Sequence, residues 1–339
     1  MPVKAITTTS RRSIKSLIRR FGVVMLASYP RSWKTGRLHG VWIDLLDPTE
    51  EEKSAVEQSF GLRVPTKDEL SEIETTSRLR AEQAALYMSA PLISIAENGA
   101  WLPAPTGFVL SKEVLITVHF EPLAVLQSVA EQLARKDPVP PAEVFTLILE
   151  AVVDRAADHL ELSAERLDGA SKVIFQEEHM QAASHSYDAR MLRNTMTHIG
   201  RISERVSNTQ YMLTWIDRIC NFTSEHCRGW VAPEILARLQ AVHSDTVSLT
   251  QFDESLLNRV QLLQDAATAI INIGQNEVMK VLTVVSVAGV PPILIAGIYG
   301  MNFKNMPELN WPWGYGFALA LIVISTVIPL VWFKLKRWI

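Results

Sequence analysis

Asn302 lies in the run Tyr299-Gly300-Met301-Asn302-Phe303, between the two stretches of this chain long and apolar enough to cross a membrane. A neutral amide oxygen can accept hydrogen bonds from the water shell of a cation without holding the ion as a carboxylate would. The turn that follows is not a generic hydrophilic loop. Residues 299–313 hold two Met, two Pro and two Trp beside that amide. A short polar turn where two spans emerge is where a pore would meet its ion.

The elements that must position this turn are two helices. Residues 281–300 and 314–333 carry no charged side chain, and about 20 apolar residues is the length a helix needs to cross the hydrocarbon core. Backbone groups in lipid must be satisfied internally, so each segment is expected to be helical. Pro291 and Pro292 free carbonyls inside the first span, which is tolerated where protein or a water-filled cavity covers them. Trp311, Trp313 and Tyr315 mark one interface, and Trp332 and Trp338 the other. Lys280 precedes the first span; Lys334, Lys336 and Arg337 follow the second; the connecting loop has only Lys304 and Glu308. By the positive-inside rule both termini are cytoplasmic and the turn faces outward.

The remaining 280 residues carry nearly all the charge and are long enough for a sizeable core. A net charge of −3 argues against a nucleic-acid partner. Cys220 and Cys227, on either side of His226, fit no zinc-site spacing and read as reduced thiols. The other histidines are scattered and read as surface or hydrogen-bonded residues. Residues 1–43 contain no acid, and Lys4, Arg11, Arg12, Lys15, Arg19 and Arg20 crowd the start. A transit peptide, a basic arm on anionic lipid and a sequence start placed upstream of the true one, with Met25 as the candidate initiator, all fit; the last is preferred. Residues 21–27 are too short for a span.

Residues 38–125 read as α/β. Strands are expected at 40–46, 84–96, 108–111 and 114–120, and helices at 49–60 and 66–77, the latter opening on Thr66 with Asp68 and Glu69 in its first turn. Helical spacing then covers 141–172 and 182–220. The first of these is acidic through Glu143, Glu150, Asp154, Asp158, Glu161, Glu165 and Asp168. That face is either solvated or a sleeve that concentrates cations. No phosphate loop, nucleophile elbow or nucleophile–base pair is visible, so an enzyme is not expected, nor an ATP-driven pump.

From Pro233 to Pro291 no proline interrupts the chain. Stepping four and three from Ile235 gives Leu239, Val242, Thr246, Leu249, Asp253, Leu256, Val260, Leu263, Ala267, Ile270, Gly274, Glu277 and Val281, mostly apolar, a coiled-coil-like seam. A helix this long cannot bury its seam alone and needs neighbours. Another face carries Asn258, Gln261, Asp265, Thr268, Asn272 and Asn276, and continues through Met279, Thr283, Ser286 and Val290 towards Leu294. Solvent explains its lower part. Stacked rings in a symmetric bundle explain why it runs on to the membrane edge.

The run Asn276-Glu277-Val278-Met279-Lys280-Val281-Leu282, then Pro291-Pro292, the Gly300-Met301-Asn302 tripeptide and Met306-Pro307-Glu308-Leu309, resembles the CorA family of divalent-cation transporters. The resemblance is densest over 258–339, and Val41-Trp42-Ile43-Asp44-Leu45 extends it to about Met25. It implies an α+β membrane protein: a homopentameric funnel with cytoplasmic α/β domains, a coiled-coil-like stalk and two transmembrane helices. The divisions expected are a basic extension (1–24), an α/β domain (25–137), an acidic helical hairpin (138–232), a stalk (233–280), a pore helix (281–300), an outer loop (301–313), a second span (314–333) and a basic tail (334–339).

By this resemblance Gly300, Met301 and Asn302 form the entrance for hydrated Mg2+. Asn276 forms a polar ring, and Met279, Leu282 and Val290 form apolar constrictions of a pore also lined by Thr283 and Leu294. The metal contacts of Asn302 and Asn276 are through water. No cofactor is implied beyond Mg2+ as substrate and regulatory ligand. The regulatory carboxylates are not fixed; Asp245, Asp253 and Asp265 are candidates. Mg2+ dehydrates reluctantly, which suits neutral amide rings, and no thiolate or imidazole on the path favours a soft metal. Lys304 departs from a loop that is usually acidic in the family, leaving Glu308 alone. Transport of Co2+, Ni2+ or Zn2+ stays open, as does a non-conducting membrane-anchored sensor or scaffold. A cell inner membrane is expected, or an organellar one if residues 1–24 are a transit peptide.

Overall fold

The computed structural model describes residues 26–29, 41–72, 74, 78–82, 85–95, 101–135, 139–175, 189–301, 306–307, 311–336 and 338. The chain divides into two units, residues 1–172 with 197–262, and residues 173–196 with 263–339.

The first unit is built on a six-stranded sheet. Strands β1 (Leu26–Tyr29), β2 (Trp42–Leu46), β3 (Leu79–Ala81), β4 (Ala85–Ile95), β5 (Trp101–Ser111) and β6 (Leu115–His119) lie in the order β1-β2-β6-β5-β4-β3. Only β2 and β6 pair in parallel. The segment between them holds helices α1 (Glu50–Phe60) and α2 (Lys67–Ser71). Each begins in a capping box: the Thr49 and Thr66 hydroxyls accept the N–H of Glu52 and Glu69, whose carboxylates reach back to the cap N–H. Val56 of α1 and Leu70 of α2 pack with Ile43, Leu45, Val109, Ile116 and Val118 in one core. At Gly107 an added Cβ would lie 2.8 Å from a Leu70 methyl, so this strand glycine lets α2 approach the sheet.

Two long helices, α4 (Pro141–Phe175) and α5 (Ala189–His226), follow the short α3 (Ala124–Leu133). Phe145 of α4 meets Phe108 of β5 edge-on at 5.6 Å, and Thr223 of α5 donates to Met88 Sδ of β4 at 3.2 Å. The 67-residue α6 (Pro233–Tyr299) follows. In the first unit the seam read from sequence is its buried side: Ile235, Leu239, Val242, Thr246, Asp253, Leu256, Val260 are all buried. Each fully buried Leu or Val there is worth about 1.5–3 kcal/mol. Arg238 of α6 forks onto Glu150 of α4 at 2.8 and 2.6 Å. Arg259 pairs with Asp168 of α4, and His243 with Asp217 of α5 at 2.6 Å.

The second unit contains the end of α6 and helix α7 (Gly314–Leu335). Both are long and apolar enough to cross a membrane, and their most apolar windows are only 11% and 6% buried. A soluble core helix would be covered; these are not. α6 runs on through Pro291 and Pro292. Neither proline has an N–H, so the carbonyls of Val287 and Ala288 lose their helical donors.

Several elements differ from the sequence expectation. The helix expected over 66–77 ends at Ser71, because Leu79–Ala81 is taken up as an edge strand against β4. β5 begins at Trp101 rather than 108, pairing with β4 through Pro103 and Pro105, which conceal a strand in sequence. β1 and α3 carried too little periodicity to be read. The basic extension 1–24 lies outside the described residues.

Candidate functional site

The polar stripe of α6 lies on one helical face because its members recur at three- and four-residue steps. Asn258, Gln261, Asp265, Thr268, Asn272 and Asn276 are all exposed. Beyond them Met279, Leu282, Val290 and Leu294 are 58%, 58%, 58% and 63% exposed. Apolar side chains this bare, on a helix of membrane length, require lipid or further copies of the chain around them. Thr283 is half-buried, its hydroxyl donating to the Met279 carbonyl at 2.7 Å.

The helix stops at the tripeptide. Gly300 N–H donates to Ala296 O at 2.9 Å and Met301 N–H to Ile298 O at 3.2 Å, a tightened last turn. A Cβ on Gly300 would sit 3.1 Å from Ala296 O, so a side chain there crowds the helix end. Met301 is 45% exposed. Asn302, Lys304 and Glu308 lie outside the described residues.

The three candidate carboxylates separate by burial. Asp245 and Asp265 are exposed and can exchange an ion with solvent. Asp253 is fully buried on the seam, and neither carboxylate oxygen has a hydrogen-bond partner. Burial, with the nearby Glu254 charge, pushes its pKa up to about 7. That environment selects the neutral acid rather than a cation ligand. The acidic face of α4 is likewise divided. Glu143, Glu150 and Asp168 are drawn to Arg238 and Arg259 of α6, whereas Asp154, Asp158, Glu161 and Glu165 are exposed. Part of the face is therefore helix docking, a role weighed neither as solvated face nor as sleeve.

Two histidines exceed what scattered positions announce. Both ring nitrogens of buried His119 face acceptors, Glu121 O at 2.7 Å and Asp44 Oδ1 at 3.1 Å. Thr117 Oγ1 donates to the same Asp44 oxygen and accepts Trp42 Nε1–H at 3.0 Å. Burial alone would lower the His119 pKa, but the Asp44 bond and charge, with the Glu121 carbonyl, raise it. The alternation Trp42, Asp44 and Thr117, His119 on paired strands was the available signal. His159 is different: its ring lies 3.9 Å from that of Trp101, its buried Nδ1 has no partner, and burial followed by the Arg155 charge lowers its pKa to about 4. Cys220 and Cys227 are free and buried, and burial pushes both thiols up to about 12. Such thiols are inert at neutral pH.

The family model described as CorA-like Mg2+ transporter protein matches residues 38–337. The magnesium transport protein CorA of Wolinella succinogenes is 30% identical over 305 residues, covering 88% of this chain and 91% of that protein. The CorA protein of Escherichia coli strain K12 is 30% identical over 306 residues, covering 89% and 93%. The complete structure of the CorA magnesium transporter from Methanocaldococcus jannaschii superposes with a TM-score of 0.72 at 18% identity, over 94% of this chain and 99% of that one. The full-length CmaX protein has a TM-score of 0.63 at 19% identity, covering 88% of each chain.

Proposed function

This chain belongs to the CorA-like Mg2+ transporter family, and from that premise we propose that it works as a homopentameric channel through which Mg2+ enters down the membrane potential. Its family is one of transporters rather than enzymes. The observation that carries the reading is the single helix α6, whose exposed polar-then-apolar face leads without a break to Gly300 and Met301. Five such faces around an axis give stacked rings, with Asn276 polar, Met279, Leu282 and Val290 narrow and apolar, Thr283 and Leu294 between and beyond them.

At the outer mouth Asn302, with Gly300 and Met301, receives the hydrated ion by hydrogen bonds to its water shell. Asn276 repeats that contact on the cytoplasmic side. Neutral amides bind weakly enough to let the ion leave, which conduction requires. Entry of two charges is worth about 4.6 kcal/mol per 100 mV of inside-negative potential, which needs no ATP. Intracellular Mg2+ closes the pore by binding exposed stalk carboxylates, with Asp245 and Asp265 preferred to Asp253. The protein sits in a cell inner membrane with both termini cytoplasmic, as the Lys280, Lys334 and Lys336 placement supports.

The test is ion uptake into proteoliposomes with an imposed inside-negative potential, comparing Mg2+, Co2+ and Zn2+ with and without a pH gradient. Potential-driven Mg2+ entry is expected. Zn2+ entry that requires the proton gradient would overturn the Mg2+ reading, and no flux of any ion would favour a non-conducting sensor.

A further inference from the structure

Trp338, beyond the end of α7, is tied back to that helix. After α7 the Trp338 N–H donates to Phe333 O at 3.0 Å. Its indole stacks on the Phe333 ring, 5.4 Å between centroids at 26°. Phe333 itself is buried, 2% exposed, in a helix whose other large side chains are mostly bare. The anchor is therefore rigid, and the indole it carries has only two rotatable bonds to order.

From this anchor Trp338 forms one wall of a recess of about 460 Å3, whose other walls belong to α6: Ile273, Asn276, Glu277, Met279, Lys280 and Thr283. Four of these six, Ile273, Asn276, Lys280 and Thr283, recur at steps of three, four and three, so they share a helical face. The recess thus joins the far end of the chain to the cytoplasmic base of the first span. It meets that span at the level of the polar-to-apolar change, between Asn276 and Thr283. Trp338 remains 44% exposed, and a ring that is half free can be withdrawn without opening a core.

We propose that Trp338 is a positioning residue for the cytoplasmic end of the transport path. Stacked on Phe333, it braces α7 against the α6 face that carries Asn276, Met279 and Thr283, and so fixes that face's orientation. It touches no ion and acts only through α6. The inference rests on the transport reading above, in which those three residues line the path. A brace at this end leaves the outer entrance, some 20 residues away along the span, untouched. Its loss therefore changes maximal flux and not the external Mg2+ concentration at half-maximal flux. An aromatic replacement that keeps the stack keeps the brace.

The experiment uses the full-length chain in proteoliposomes and has two independent readouts. In the first, W338A is expected to lower maximal Mg2+ flux at least threefold with unchanged half-saturating external Mg2+ and an unchanged assembly size, while W338F keeps at least half of the wild-type flux. In the second, Thr283→Cys is labelled with a membrane-impermeant thiol reagent from the cytoplasmic side. Labelling is expected to be at least threefold faster with W338A than with Trp338 or W338F in place. The two buried native thiols contribute little, and the unsubstituted chain measures their background. Equal labelling rates with and without the indole, or W338F behaving as W338A does, would overturn the brace. Absence of flux in the wild-type chain would instead overturn the transport reading, and the labelling result would still decide whether Trp338 braces α6.

Discussion

At the scale of single residues the amide of the proposed entrance contrasts with a carboxylate that the fold hides. In the proposed entrance Asn302, two residues beyond Gly300 in sequence, would offer a neutral oxygen to an ion's water shell. Asn302→Ala should abolish Mg2+ flux while the assembly size by size-exclusion chromatography stays unchanged; ordinary flux in that variant would remove Asn302 from the proposed entrance. Asp253 is the opposite case. Its folded pKa, raised to about 7, lies above the ordinary aspartate value of 3.8. The fold therefore favours the protonated acid. The native state bears no penalty below pH about 4, and stability falls as pH rises from there through 7. Asp253→Asn should raise the melting temperature at pH 7.5 by several degrees and flatten its pH dependence between 4 and 7, read by thermal unfolding. An unchanged melting curve would mean that Asp253 finds a partner in the assembly.

His119 shifts stability with pH in the same direction, but through its charged form. Its folded pKa is raised above 6.5. The stabilisation from its pairing with Asp44 is fully present below pH 6.5 and is lost as pH rises through the folded value. His119→Gln should destabilise the α/β unit at pH 6 more than at pH 8.5, which unfolding at the two pH values can measure. An equal loss at both would show that the imidazole is neutral in the fold.

At the scale of elements, what sequence discloses depends on how strongly one physical constraint dominates. α6 was legible as a whole because its seam, its polar face and its freedom from proline before Pro291 all follow one helical period. Every seam position from Leu239 to Ala267 but Leu249 is buried, Asp253 included. The two spans were legible for the same reason, since lipid admits few alternatives to an apolar helix. The sheet was less so. Pro103 and Pro105 hid half of β5, which is held in place by eleven register pairs with β4. β1 is four residues long and owes its existence to β2 rather than to its own pattern. The exposed stripe on α6 could be named from spacing, whereas the His119 network could not be named before its strands were known to be neighbours. The loop between the spans is where element and chemistry meet. In the proposed entrance loop the positive charge of Lys304 would lower the local concentration of cations. Lys304→Glu should increase Mg2+ uptake at low external concentration about two- to tenfold, with convergence at saturation and a difference that shrinks in high salt. Identical uptake curves would show the charge to be irrelevant to capture.

At the scale of the whole molecule the question is which parts of the chain the fold requires. β1 occupies the edge of the sheet beside β2, and the β2 side chains Trp42, Ile43 and Leu45 are completely buried. Removing β1 exposes a row of unpaired β2 backbone groups, an edge prone to wrong pairing. The family match starts at residue 38, inside neither strand, so family membership alone does not say where the chain may be cut; the strand pairing does. A chain beginning at Met25 keeps β1 whole and sheds the cluster of Lys and Arg before it. It should assemble, melt and transport as the full chain does. A chain beginning at residue 31 should lose several degrees of thermal stability and aggregate, although only six further residues are gone. If both truncations behave alike, β1 contributes nothing to the fold. If the chain from Met25 already fails to assemble or to reach the membrane, the basic extension has a role of its own, and the preference for Met25 as the start is wrong.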